Sequence, residues 1–200
     1  MRVVALSAFL AIFGVFETFG SGFDLNAYQG FDAIQEHLRN VELMHPDLVE
    51  LIEIGSSHEN RSLTVVKLED KSLKSQFRRP ALWIDAGIHA REWIAVTTAL
   101  NLIDMILKHP GIFKNLTIYV LPVVNPDGYE YSRTKDRFWR KNRRPAECGN
   151  PYDCCQGVDL NRNFDSDWSH FSHPPQARAV LRTQAHRPLA NQNPEQFAIS

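Results

Sequence analysis

The sequence predicts an α/β fold in which helices flank a mixed, largely parallel sheet. An apolar strand pattern, a helical pattern and a second apolar strand pattern follow one another between residues 82 and 124. This is the order of a strand–helix–strand unit with parallel strands. Two alternating segments around a polar turn at residues 55–61 predict a hairpin before it. With 200 residues, 44% of them apolar, the chain is long enough to bury a hydrophobic core.

Each element has its own local pattern. The first helix places apolar residues at helical spacing, and Pro46 follows it as a stop. The second helix, residues 92–108, is expected to bury a face that carries Ile94, Leu100, Ile103 and Leu107. The full prediction is a helix at 31–44, strands at 49–54 and 62–68, a buried strand at 82–86, the helix at 92–108, and a buried strand at 116–124.

A candidate metal-binding pair follows the strand at 82–86. His89 and Glu92 are three residues apart in the stretch HAREW, so one short turn presents both side chains. An imidazole nitrogen and a carboxylate oxygen are both common zinc ligands. Sites in α/β sheets gather at the carboxyl ends of the strands, where His89 follows one strand and Asn125 follows the next.

Three further stretches accompany HAREW. They are NPDGY at 125–129, FWRK at 138–141 and GVDLNRNF at 157–164. Their order and intervals resemble those of zinc carboxypeptidases of the carboxypeptidase A type, over about residues 25–168. The resemblance implies a zinc carboxypeptidase-like sheet, incomplete on its C-terminal side, and removal of C-terminal residues from peptides with the help of one zinc ion.

The resemblance also implies roles for single residues. His89 and Glu92 correspond to two of three zinc ligands, the His₂Glu set being that of carboxypeptidase A itself. Asp159 corresponds to the carboxylate that accepts a hydrogen bond from the other nitrogen of the first histidine. Arg140 corresponds to the catalytic guanidinium that polarises the scissile carbonyl and stabilises the oxyanion.

Substrate-binding residues are implied in the same way. Asn161 and Arg162 match the pair that binds the terminal carboxylate, and Arg91 matches a residue that lines the upstream subsites. The residues of NPDG are expected to form a turn with a structural role and no part in the chemistry. The basic residues between 133 and 144 are expected to form a solvated loop, with Arg140 as the exception, although a nucleic-acid patch is an alternative for this run.

Several family residues have no counterpart in the sequence. The third zinc ligand, a substrate-capping tyrosine and the glutamate general base belong to family segments beyond the point where the resemblance ends. His170, His173 and His186 do not lie in the ligand context of the family. We therefore expect this chain to be an incomplete, inactive form that holds zinc weakly.

The chain divides into three expected segments. Residues 1–22 have the layout of a signal peptide, 23–168 form the N-terminal part of the catalytic domain, and 169–200 form a disordered, non-family tail. The protein is therefore expected to be secreted and extracellular, without a membrane anchor after signal cleavage. Cys148, Cys154 and Cys155 make an odd set, in which Cys148 with either partner would close a short loop.

Function is narrowed by charge and by the motifs. A net charge of −1 argues against nucleic-acid or membrane-surface binding, so peptide or protein C-termini are the expected partners. Two alternatives stay open. One is a non-catalytic secreted protein that binds peptide C-termini, and the other is a zinc acylase of the aspartoacylase type, which shares the His–Glu spacing. HAREW, NPDGY and FWRK favour the peptidase over the acylase.

Overall fold

The computed structural model of the protein describes residues 23–73, 79–109, 111–112, 116–145 and 156–164. The expected signal peptide, the three cysteines and the expected tail lie outside these residues. No helix in the described part is long and apolar enough to cross a bilayer. The described elements are α1 (Phe31–Met44), β1 (Val49–Ser56), β2 (Ser62–Leu68), β3 (Ala81–Asp85), α2 (Trp93–Lys108), β4 (Thr117–Leu121), α3 (Pro126–Thr134) and a 3-10 helix (Leu160–Arg162).

The four described strands form one mixed sheet in the order β1-β2-β4-β3. β1 and β2 pair as the predicted antiparallel hairpin, and β2 pairs antiparallel with β4. β3 and β4 are parallel neighbours on either side of α2 in the chain, as the strand–helix–strand pattern predicts. Of these three pairings one is parallel and two are antiparallel, so the described sheet is mixed, as predicted.

The helices α1 and α2 pack on one face of the sheet and build the main core. Ile34 and Leu38 of α1 are fully buried, together with Val66 of β2 and Val120 of β4. Because successive strand residues point to opposite faces, Val65 and Leu121 belong to a second, smaller cluster. The first helix therefore has the core-facing stripe that its spacing predicts.

The buried face of α2 differs from the prediction at one position. Ile94 is 62% exposed, while Leu100 and Ile103 are buried. At 3.6 residues per turn, six residues advance the helix by about 600°, which places Ile94 about 120° away from Leu100 around the axis. The spacing of Leu100 and Ile103 fits one face, and that of Ile94 does not.

The strand β3 is not buried as expected. Leu82 is 44% exposed and Trp83 is 39% exposed. Within the described residues β3 lies at the edge of the sheet and pairs with β4 alone. Trp83 stacks on Tyr119 of that neighbour, with ring centroids 6.3 Å apart. The apolar pattern of residues 82–86 therefore identified a strand correctly, but not its surroundings.

The NPDG stretch starts a helix and is not a simple turn. Asn125 is the N-cap of α3, and its side chain accepts a hydrogen bond from the Gly128 amide. Pro126 follows at the first helical position, where its missing N–H costs nothing. An Asn cap followed by proline is a helix-start signal, and Tyr129 then packs in the core as the helix continues.

Candidate metal centre

The loop between β3 and α2 carries the candidate metal-binding pair. The Ala86 amide donates to the Leu121 carbonyl and the Val124 amide donates to the Ala86 carbonyl, so the loop starts at the carboxyl ends of β3 and β4. Gly87 has a φ of +67°, and a Cβ at this position would lie 2.7 Å from Cγ2 of Val96. Only glycine satisfies both the left-handed backbone and the close contact with α2.

His89 and Glu92 face each other across this loop. Nδ1 of His89 lies 2.9 Å from Oε1 of Glu92. The imidazole is buried, with His89 only 7% exposed, whereas the Glu92 side chain is 46% exposed. At the usual zinc–nitrogen and zinc–oxygen distances of about 2.0–2.2 Å, both atoms can reach one ion. The pair is therefore preformed on a short segment of chain.

The other side of the imidazole faces Asp159. Nε2 of His89 is buried and lies 3.4 Å from Oδ1 of Asp159, without the geometry of a hydrogen bond to any described residue. Oδ2 of the same carboxylate accepts a hydrogen bond of 2.9 Å from Nε of Arg140. Glu92, His89, Asp159 and Arg140 thus form one continuous series of facing polar groups.

The carboxyl of Asp159 is held in its ionised form. Its partial burial opposes ionisation, but the hydrogen bond and the positive charge of Arg140 act more strongly together with the nearby His89 and the Asn161 amide. These groups hold the pKa of Asp159 below its ordinary value. An ionised Asp159 favours a proton on the facing Nε2, which leaves Nδ1 of His89 as the nitrogen available to a metal.

Asn142 connects the segment of Arg140 to the segment of Asp159. The Asn142 amide donates to the Val158 carbonyl at 3.0 Å, and the Val158 amide donates to Oδ1 of Asn142 at 2.7 Å. Gly157 has a φ of +77°, and a Cβ there would lie 2.3 Å from the Asn142 carbonyl oxygen. This close approach positions Asp159 beside the Arg140 side chain.

The remaining predicted site residues lie on exposed surface. Asn161 and Arg162 belong to the 3-10 helix that follows Asp159, and Nη1 of Arg162 donates to the Asn161 carbonyl. Arg91 is exposed, and its carbonyl accepts a hydrogen bond from Arg137. Among the described residues, no hydrogen bond or ion pair joins the Arg91 side chain to the other predicted site residues.

Ser132 and Asn142 contribute to this site although the sequence did not single them out, and Asn125, which the sequence placed beside the site, was expected only to form a turn. Oγ of Ser132 lies 2.9 Å from the Ala90 carbonyl, inside the HAREW loop. Asn125 and Asn142 also make hydrogen bonds that join the site segments. The position of Asn125 directly after the predicted strand at 116–124 placed it at this edge of the sheet, whereas nothing local distinguishes Ser132 or Asn142 from ordinary loop and helix residues.

The donor set fits two ligand positions of a catalytic zinc. Such a zinc takes three protein ligands and leaves one position open. His89 and Glu92 supply a nitrogen and an oxygen of the right chemistry. The described part of the chain contains no group of three His, Cys, Asp or Glu side chains arranged to hold a metal ion. The described residues therefore account for part of a zinc site.

The fold and this geometry agree with the known proteins that the chain matches. The zinc carboxypeptidase family matches residues 34–200, and the chain belongs to this family. The match includes residues 169–200, which the motif resemblance does not reach. The domain boundary expected at Trp168 thus stays a prediction.

Individual relatives also identify the chain as a member of the zinc carboxypeptidase family. The chain is 36% identical to carboxypeptidase A2 of Rattus norvegicus over 187 residues, which are 90% of this chain and 42% of the relative. It is 43% identical to carboxypeptidase B2 of Homo sapiens over 146 residues, which are 70% of this chain and 33% of the relative. The chain thus spans less than half the length of these curated relatives.

Solved structures show a similar fold. Bovine thrombin-activatable fibrinolysis inhibitor, in complex with tick carboxypeptidase inhibitor, has a TM-score of 0.63 at 34% identity, covering 80% of this chain and 57% of that one. Carboxypeptidase A from Helicoverpa armigera has a TM-score of 0.69 at 27% identity, covering 78% of this chain and 38% of that one. The described sheet and helices therefore correspond to part of a carboxypeptidase fold.

Proposed function

We propose that this chain carries part of the active site of a secreted, zinc-dependent carboxypeptidase that removes C-terminal residues from peptides. One observation carries the proposal. Side chains from three separate motifs meet in one series, from Glu92 and His89 through Asp159 to Arg140. A purely structural ion-pair network does not require a buried histidine between two carboxylates.

Each group in the series has a distinct task. His89 and Glu92 hold the zinc ion, which when bound supplies Lewis-acid chemistry that polarises an oxygen atom. Asp159 orients the His89 imidazole and keeps its proton on Nε2. Arg140 uses Nε to bind Asp159. Its two terminal nitrogens are assigned to the negative charge that develops on the scissile carbonyl oxygen.

Recognition of a free C-terminus is assigned to the exposed residues beside this series. The guanidinium of Arg162 can bind a carboxylate through two parallel hydrogen bonds, and the Asn161 amide adds a further donor. Arg91 lines the path of the upstream peptide residues. The substrates are accordingly peptide or protein C-termini, reached in the extracellular space after a signal peptide at residues 1–22 directs secretion.

The 200-residue chain by itself is proposed to bind zinc weakly through His89 and Glu92. We expect a competing chelator to remove the metal during dialysis, and His89→Ala to abolish the binding that remains. His58→Ala is the matched control, because His58 is exposed on the β1–β2 loop. Equal zinc binding by the His89→Ala variant would refute the metal site. Stoichiometric zinc that survives the chelator would show that His170, His173 or His186 completes the site.

Activity is tested on the same preparations. The described residues hold no group of three metal-ligating side chains, and the resemblance assigns the general base to a family segment that the motifs do not reach. We therefore expect that the 200-residue chain supplemented with zinc does not hydrolyse blocked dipeptides ending in phenylalanine, leucine, arginine, lysine or glutamate. Turnover that is lost in Glu92→Gln and in Arg140→Ala would support the carboxypeptidase and overturn the proposed inactivity. Binding of C-terminal peptides that is lost in Arg162→Ala, without turnover, would favour the binding-protein alternative.

A further inference from the structure

We infer that Asn125 is a positioning residue that holds the loop of His89 and Glu92 against the loop of Arg140. The inference rests on the proposed function, since it concerns the alignment of the groups assigned to that site. Asn125 is the N-cap of α3, separated from the end of β4 by three residues, and only 2% of its surface is exposed. Among the described residues, the hydrogen bonds of its side chain go to backbone groups and none goes to the proposed substrate or metal groups, so it acts through the backbone of the two loops.

Both donor positions and one of the two acceptor positions of the Asn125 side-chain amide are used. Oδ1 accepts from the Gly128 amide at 3.0 Å, while Nδ2 donates to the Ile88 carbonyl at 3.2 Å and to the Lys141 carbonyl at 3.1 Å. The Gly128 amide can only donate and the two carbonyls can only accept. These partners therefore determine which end of the side-chain amide is nitrogen.

The two carbonyls belong to the residues next to the proposed catalytic groups. Ile88 precedes His89, and Lys141 follows Arg140. The Ala90 amide, between the two proposed metal ligands, also donates to the Arg140 carbonyl at 3.1 Å. A single buried amide and one backbone hydrogen bond thus join the loops on both sides of the site.

No local rearrangement replaces this amide easily. A Cβ at Gly128 would lie 2.4 Å from the Lys141 carbonyl oxygen, so the loop of Arg140 is already pressed against the start of α3. With Asn125 almost fully buried, the carbonyls that lose its Nδ2 would find little water in exchange. We therefore expect the two loops to separate when the donor is removed.

Two substitutions separate positioning from helix capping. Asn125→Asp and Asn125→Ser both keep an oxygen that can accept from the Gly128 amide, and both lose the amide donor. The serine variant introduces no buried charge, which guards against loss of folding in the aspartate variant. The matched control is Asn101→Asp, because Nδ2 of Asn101 likewise donates to two carbonyls, those of Leu25 and Thr97, away from the site.

Two readouts are made on the metal-free 200-residue chain. Amide hydrogen exchange at Ala90 should accelerate at least about tenfold more than exchange at Val120 in β4, which reports global opening. The imidazole nitrogen signals of His89 in a long-range proton–nitrogen spectrum should shift or broaden. Both effects are expected in the Asn125 variants, and neither is expected in Asn101→Asp.

The third readout is zinc affinity from competition with a chromophoric chelator, which should fall about tenfold in the Asn125 variants and stay unchanged in Asn101→Asp. Unchanged His89 signals and Ala90 exchange in both Asn125 variants would overturn the inference, even if their stability falls. If the unsubstituted chain binds no zinc, the proposed function fails, while the two metal-free readouts still decide the role of Asn125.

Discussion

The carboxylate of Asp127 joins the β1–β2 hairpin to the start of α3, and replacing it tests how much this connection stabilises the fold. Asp127 is 2% exposed at the start of α3. It accepts hydrogen bonds from Oγ of Ser57 at 2.6 Å, the Glu59 amide at 2.9 Å and Nη1 of Arg61 at 2.7 Å. All three donors lie in the loop between β1 and β2. Asp127→Asn should therefore detach this loop from α3 and destabilise the fold.

The expected magnitude follows from these contacts. Asparagine keeps one acceptor oxygen but turns an amino group towards one of the former donors. Hydrogen bonds to a charged group contribute about 1.5–3 kcal/mol each, and at least one is lost outright. The ion pair with Arg61 adds less, because the Arg61 side chain is 29% exposed. We expect the free energy of unfolding to fall by about 2–4 kcal/mol, a large part of the stability of a small domain.

The assay is urea unfolding followed by far-UV circular dichroism, with Asp136→Asn as the control. Asp136 also accepts a backbone hydrogen bond, from the Phe138 amide, but Asp136 is exposed. Because water can replace this hydrogen bond, we expect little change in the free energy of unfolding. Arg61→Met and the double variant complete a mutant cycle, with a coupling energy of at least about 1 kcal/mol. A loss below about 1 kcal/mol in Asp127→Asn, with an unchanged denaturant slope, would show that these hydrogen bonds do not hold the loop to α3.

Two further predictions concern the sheet edge and the first helix. The exposed apolar side chains of β3 should make the chain bind the dye ANS and associate with increasing concentration. Leu82→Gln should reduce both effects, whereas Met105→Gln, on the exposed surface of α2, should reduce neither. A sharp unfolding transition of a monomer that binds no dye would contradict this prediction. Burial lowers the pKa of His37, against the opposing charge of Asp104, so the unfolded state binds more protons as the pH falls below about 6.5. The free energy of unfolding should then fall by at most about 1.4 kcal/mol per pH unit until the pH reaches the folded-state pKa of His37. His37→Leu should remove this pH dependence. An equal pH dependence in the variant would exclude His37 as the cause.

Local patterns were sufficient for most elements. The helix at Phe31–Met44 and the strand at Ser62–Leu68 have the predicted bounds, because periodicity and a following breaker are properties of neighbouring residues. The helix at Pro126–Thr134 was missed, since its cap and proline were interpreted as a turn. Exposure of β3 could not be predicted either, because an apolar strand pattern does not show which strands lie beside it.

The chemistry available to the site follows from the amino-acid sequence. The three-residue spacing of His89 and Glu92 brings their side chains together within one loop, and the four motifs together indicated the family. The resemblance paired Asp159 with His89, but the distances and the connecting hydrogen bonds between distant groups depend on the folded chain. Asp159 lies seventy positions after His89, and Asn125 joins the carbonyls of Ile88 and Lys141 from another segment. Such contacts depend on how strands and loops pack in three dimensions, so no spacing in the sequence contains them.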